Sequence, residues 1–129
     1  MPRVSAAFFA MGVLCVLIGM VFGMWMGAHN DFAAAPAHAH LNLVGWVTMA
    51  LYGTFYALTR ETMSVKLAWT QFAVSTIGIA VMIPSLFLLL LNNSDAKFEP
   101  GITAGSMFVF LGMILFAVSV FRELSRART

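Results

Sequence analysis

The sequence predicts an all-α integral membrane four-helix bundle with up-down topology and both termini cytoplasmic. Three observations predict it. Hydrophobic residues fill 61% of the 129 positions and charged residues 9%, against roughly 45–50% and 25% in soluble domains. The apolar residues gather in four runs, each near the about 20 residues a helix needs to cross a bilayer. The connectors are short, which makes successive helices antiparallel neighbours. With a mean hydropathy of +0.92, the chain is neither disordered, nor a nucleic-acid-binding domain, nor an ordinary soluble enzyme. It reads as one domain over residues 1–129. Cys15 stands alone, so no intrachain disulfide and no cysteine-rich zinc module can form.

The first span covers residues 4–28, the second 37–58, the third 67–91 and the fourth 102–121. A cleaved signal peptide is the rival for the first, since Arg3 precedes it and Ala33, Ala34 and Ala35 follow. Its apolar run exceeds the about 7–15 residues of a signal core, which favours a retained helix. Pro36 suits a first helical turn, where its missing N–H costs nothing. Pro84 lies inside the third span, where a proline kinks a helix. Pro100 and Gly101 mark the start of the fourth.

Charge orients the bundle. Of 7 Lys and Arg residues, Arg3, Arg60, Lys66, Arg122, Arg126 and Arg128 flank one side, and Lys97 alone lies on the other. The positive-inside rule makes the first side cytoplasmic. The tail Glu123–Thr129 is expected at the cytoplasmic lipid surface. The localisation expected from this is a multi-pass position in the cytoplasmic membrane.

The helix faces carry different information. Gly19, Gly23 and Gly27 form a small-residue stripe in the first span, a close-approach face for another helix. A short bundle need not use up that stripe internally, so a homo-oligomer is expected. Gly105, Gly112 and Ser119 form a sparser stripe in the fourth span. In the third, Gln71, Ser75, Gly78, Met82 and Ser85 share one face, as interhelical hydrogen-bonding and packing positions. In the second, His38, Asn42, Gly45, Met49, Tyr52 and Tyr56 fall within roughly 40° of one line at about 100° per residue. His40 projects about 200° away from His38. His38 therefore points into the bundle, and His40 points toward lipid headgroups or a second protomer.

His29 ends the first span, so all three histidines lie at the outer end. Ionisable residues at a membrane span point to function by default. Histidine is an axial haem ligand, and bundle cofactors sit between inward side chains of facing helices. His38 with His29 forms one ligand pair; two copies of His38 across a dimer axis form another. Asn42 is placed to support a ligand or propionate, and Gly45 and Gly23 to admit a ring edge. Copper is the alternative cofactor, with His38, His29 and His40 as metal ligands and Met20, Met24 and Met26 nearby. Met24 and Met26, two residues apart, face different ways. Zinc hydrolysis lacks its ligand motif. A structural or assembly subunit without cofactor is the third reading.

The run His38-Ala39-His40-Leu41-Asn42-Leu43-Val44-Gly45-Trp46-Val47, continuing to Tyr56, resembles the second transmembrane helix of subunit I in the haem-copper oxidase and nitric oxide reductase superfamily. It is similar also to small bacterial oxidase-subunit-I-like membrane proteins with a His-x-His-Leu-Asn-x-x-Gly-Trp signature. The resemblance implies that His38 ligates a b-type haem, with Asn42 its neighbour in the motif. It implies electron transfer, haem handling or sensing related to respiration, with a redox partner or respiratory subunit. The third and fourth spans contain no histidine, so a complete oxygen- or nitric-oxide-reducing site is not expected in this chain alone.

The six-to-one split of basic residues predicts the placement of both ends. A C-terminal reporter that works only in the cytoplasm should be active. Activity of a reporter that works only outside the membrane contradicts the orientation.

Overall fold

A computed structural model of the protein describes residues 1–127. Arg128 and Thr129, the end of the predicted basic tail, lie outside the described residues. Among the described residues the structure is all-helical, without strands. Four helices form it: α1 (Arg3–His29), α2 (Ala35–Leu58), α3 (Val65–Leu91) and α4 (Glu99–Arg126). Each is long and apolar enough to cross a membrane. They enclose the predicted spans and extend them by a turn or less at most ends, and α4 by a little more.

Local chemistry sets the ends. Asn30 closes α1 in the left-handed region, φ 49°, a conformation asparagine tolerates better than most residues. Pro36 occupies the first turn of α2. The Ser64 hydroxyl accepts from Leu67 N at 3.4 Å and starts α3. The helix α3 runs unbroken through Pro84. Asp95 caps a short 3₁₀ turn, Ala96–Phe98, that leads into α4.

Helix α2 departs from ideal geometry. It is α-helical to His40, π-helical over Leu41–Thr48 and α-helical again from Met49. The Thr48 hydroxyl donates to Leu43 O at 2.9 Å, five residues back, matching the wider i→i+5 turn. The predicted inward face survives this change: Gly45, Met49, Tyr52 and Tyr56 are buried.

Two helical hairpins build the bundle, α1 against α2 and α3 against α4. Hydrocarbon gives helices no hydrophobic drive to associate, so close packing must hold them. The α3–α4 seam brings backbones into contact. A Cβ on Gly78 would lie 2.7 Å from Val109 N and 3.0 Å from Gly105 O, and one on Gly105 would run into the Met82 backbone. The α1–α2 seam instead seats side chains on glycines. Trp46 lies against Gly12, Asn42 against Gly19 and His38 against Gly23, while Cys15 fills the space at Gly45. Two members of the expected oligomer stripe, Gly19 and Gly23, are thus occupied within the chain. Only Gly27 is open, with nothing within 4 Å of a built Cβ.

A polar and aromatic layer joins the hairpins near the end that carries both termini. The Tyr56 hydroxyl donates to Gln71 Oε1, and its oxygen lies 2.9 Å from Ser119 Oγ. Phe8 stacks on the Tyr56 ring at 5.7 Å between centroids. All four helices contribute one residue. The Gln71 face and the Ser119 stripe therefore do pack and hydrogen-bond between helices.

These seams predict a contrast between two glycines. Gly78→Ala should destabilise the fold by about 1–3 kcal/mol, because its neighbours are backbone atoms that cannot yield. Gly27→Ala should be neutral or stabilising by up to about 1 kcal/mol, because nothing meets its Cβ and alanine is the better helix former. Unfolding in detergent checks both.

Candidate functional site

The candidate site is built at the end where α1 stops and α2 begins. His29 is the last residue of α1. Its Nδ1 lies 2.9 Å from Trp25 O, and its ring stacks on Trp25 at 4.6 Å between centroids. His40 Nδ1 lies 2.7 Å from Pro36 O, one turn back. A carbonyl only accepts, so Nδ1 carries the proton in both rings and Nε2 keeps the lone pair of the neutral imidazole. Both residues are exposed.

His38 has different surroundings. It is half-buried, and a Cβ on Gly23 would sit 2.9 Å from its Cε1. The Asn42 Nδ2 amide donates to His38 Nε2 at 3.1 Å. His38 Nδ1 and Asn42 Oδ1 are buried without hydrogen-bond partners. Rotating the amide by 180° puts Oδ1 against Nε2–H and leaves Nδ1 with a lone pair. In both orientations Nδ1 has no partner. With the Asn42 amide donating, Nδ1 carries the proton and has no lone pair to give; only the rotated amide, accepting from Nε2–H, leaves Nδ1 able to ligate.

Beside these residues an apolar groove of about 690 Å³ runs between α1 and α3, lined by Leu17, Val21, Phe22, Trp25, Phe87 and Leu91, among others. Its aromatic wall is continuous. Phe22 stacks with Trp25 at 5.8 Å and meets Phe87 edge-on at 4.5 Å. Trp25 carries His29 on its ring, and Phe22 lies 6.3 Å from the His38 ring. His29 and His38 thus each lie against the ring of a lining residue, Trp25 and Phe22 respectively, without lining the groove themselves.

The remaining predicted residues lie elsewhere. His40 is on the exposed side of α2, as its 200° offset from His38 implies. Gly45 is filled by Cys15, so no ring edge enters there. Tyr52 belongs to the core, between Phe8 and Phe116. Met26 is 4% exposed and Met24 67%, so the two thioethers face apart. Among the described residues no three His, Cys, Asp or Glu side chains gather as a metal-holding group. Sequence reasoning missed Phe22, Trp25 and Phe87. A signal existed for two of them, since Phe22, Trp25 and His29 lie three and seven residues apart on one helical face. Phe87 joins only through the tertiary fold.

The groove offers an apolar, aromatic surface, and neither His29 nor His38 is among its lining residues. His29 offers Nε2, and His38 has an orphaned buried nitrogen beside a glycine that leaves room for its ring. No protein-family model, curated protein or solved structure matches the chain.

The carbonyl contacts predict tautomers. In ¹⁵N NMR of neutral imidazoles, His29 and His40 should be protonated at Nδ1. Protonation at Nε2 in either ring contradicts its bond to the preceding turn.

Proposed function

We propose that this is a multi-pass protein of a bacterial cytoplasmic membrane that holds a b-type haem in the groove between α1 and α3, near the outer surface. The aromatic groove beside two histidines, each against the ring of a lining residue, is the observation that carries this reading. Membrane insertion is supported by the outward faces, where Leu14, Val21, Leu58 and Phe110 are 58–81% exposed. Surface of that kind is stable in hydrocarbon and associates in water. The orientation with both termini inside rests on the placement of Arg and Lys.

His38 and His29 are the residues that would hold the iron. His38 also matches the haem-ligand position of the oxidase helix that its motif resembles. The haem, when bound, supplies a one-electron iron couple tuned by its ligands and their hydrogen bonds. The chain's own residues bind and orient. The Trp25 carbonyl fixes the His29 tautomer and raises its basicity, and the Trp25 ring fixes its plane. Asn42 restrains His38. Phe22, Phe87 and the aliphatic lining exclude water. Such a site serves electron transfer, haem handling or sensing, with a respiratory redox partner as the proposed counterpart. With no histidine on α3 or α4, the chain offers no further ligands for an oxygen-reducing centre.

Haem titration of purified variants tests the assignment. His38→Ala should abolish stoichiometric uptake and His29→Ala should shift the spectrum. Asn42→Ala should weaken affinity on the order of 10–100-fold, the usual cost of losing a ligand's supporting partner. His40→Ala should bind like the parent. An essential His40 with a dispensable His38 contradicts the site. Stoichiometric copper binding without haem uptake favours the copper alternative.

A further inference from the structure

The end that carries both termini, opposite the histidines, has a groove of its own. It holds about 510 Å³ where α4 passes the last turns of α2 and the α2–α3 connector, within the about 300–1,000 Å³ range of ligand sites. Phe55, Val120 and Leu124 form an apolar wall, and Thr62, Glu123 and Arg126 a polar rim. The rim is arranged around one carboxylate. Glu123 Oε2 accepts from the Thr62 hydroxyl at 2.6 Å, and Oε1 lies 3.5 Å from Arg126 Nη1. Arg126 Nη1 also donates to Thr62 O. Among the described residues Arg126 thus bonds through Nη1 alone, and the Nε and Nη2 donors of its fork are unspent. Arg122 lies one turn back on α4 and lines the adjoining cleft, which shares Phe55 and Glu123 with the groove. It is exposed and forms no ion pair among the described residues. Residues four apart share a helix face. Two guanidinium groups therefore stand on the face of a carboxylate that one of them already neutralises, and the rim keeps a net positive charge.

We propose that this groove binds one anionic phospholipid of the leaflet at this end, its phosphate held by Arg122 and Arg126 and the start of an acyl chain laid along Phe55, Val120 and Leu124. Charge and shape select that occupant together. A guanidinium fork pairs phosphate oxygens through parallel N–H donors. The surplus positive charge favours an anionic headgroup over a zwitterionic one. An apolar wall directly beside the charged rim suits a molecule that has both parts, whereas a soluble phosphate leaves that wall bare. Glu123 does not oppose the anion, because both its oxygens are engaged by Thr62 and Arg126. This inference does not depend on haem binding.

Native mass spectrometry of the full-length protein in detergent, titrated with dioleoyl phosphatidylglycerol or dioleoyl phosphatidylcholine, tests it. The first phosphatidylglycerol should bind about fivefold tighter than the phosphatidylcholine, the effect of one surplus basic residue at a lipid headgroup. Arg122→Gln should remove that preference. The Arg122 side chain makes no hydrogen bond or ion pair among the described residues, so the change leaves the fold intact. Arg3→Gln removes a positive charge at the same end but outside the groove, and should keep the preference. Leu124→Trp crowds the apolar wall without altering charge, and should weaken binding of the first phosphatidylglycerol. Equal binding of the two lipids by the parent, an equal loss of preference in Arg3→Gln and Arg122→Gln, or unchanged binding in Leu124→Trp overturns the proposal.

Discussion

Close approach at small residues is the constraint on which the rest of this structure depends. Lipid tails are as apolar as leucine, so helices that leave water gain little by touching unless their surfaces fit. Each hairpin meets this constraint differently. Along α3 and α4, Gly78 and Gly105 let backbone meet backbone, with no room for even a methyl group. Along α1 and α2, glycines on α1 receive Trp46, Asn42 and His38. The polar groups of α2 are therefore held against bare backbone. The layer of Phe8, Tyr56, Gln71 and Ser119 then locks one hairpin to the other.

This division of labour places the candidate site. The end with both termini is closed by the tyrosine layer and by Thr62 of the α2–α3 connector, whose hydroxyl donates to Glu123 Oε2 at 2.6 Å and whose carbonyl accepts from Arg126. Toward the opposite end an aromatic groove lies between α1 and α3. His38 gains its buried position because Gly23 yields space. Its partner Asn42 gains its own because Gly19 does. A packing device common to membrane helices thus also presents an imidazole with one nitrogen restrained and the other without a partner. The π-helical segment starts immediately after the second histidine of the motif, and such segments gather at functional sites.

Much of this was legible in the sequence, for identifiable reasons. Hydrocarbon imposes a length and a composition on each span, so four helices follow from four apolar runs. Helical periodicity then sorts faces. The stripe of Gly105, Gly112 and Ser119 matches the buried face of α4, and Gln71, Ser75, Gly78 and Met82 are buried on α3. His38 faces inward and His40 outward, as their spacing requires. Pairings across helices were not legible. Whether Gly19 and Gly23 meet another chain or α2 depends on three-dimensional neighbours, and the answer is α2. The groove needs Phe87 of α3 beside Phe22 of α1, two residues with no local relation. Nothing in Leu41–Thr48 distinguishes an i→i+5 turn from an α-helical one by composition. That Cys15 fills the space at Gly45 is likewise set by the tertiary fold.

The proposed function rests on haem held at the histidine end by His29 and His38. The visible absorption spectrum of detergent-purified protein, recorded oxidised and then reduced, tests it most directly. A red protein with haem stoichiometric to the chain is expected. On reduction a narrow band should appear, as for iron held by two imidazoles. A protein from haem-replete cells that is colourless, and stays so when titrated with ferric haem, contradicts it.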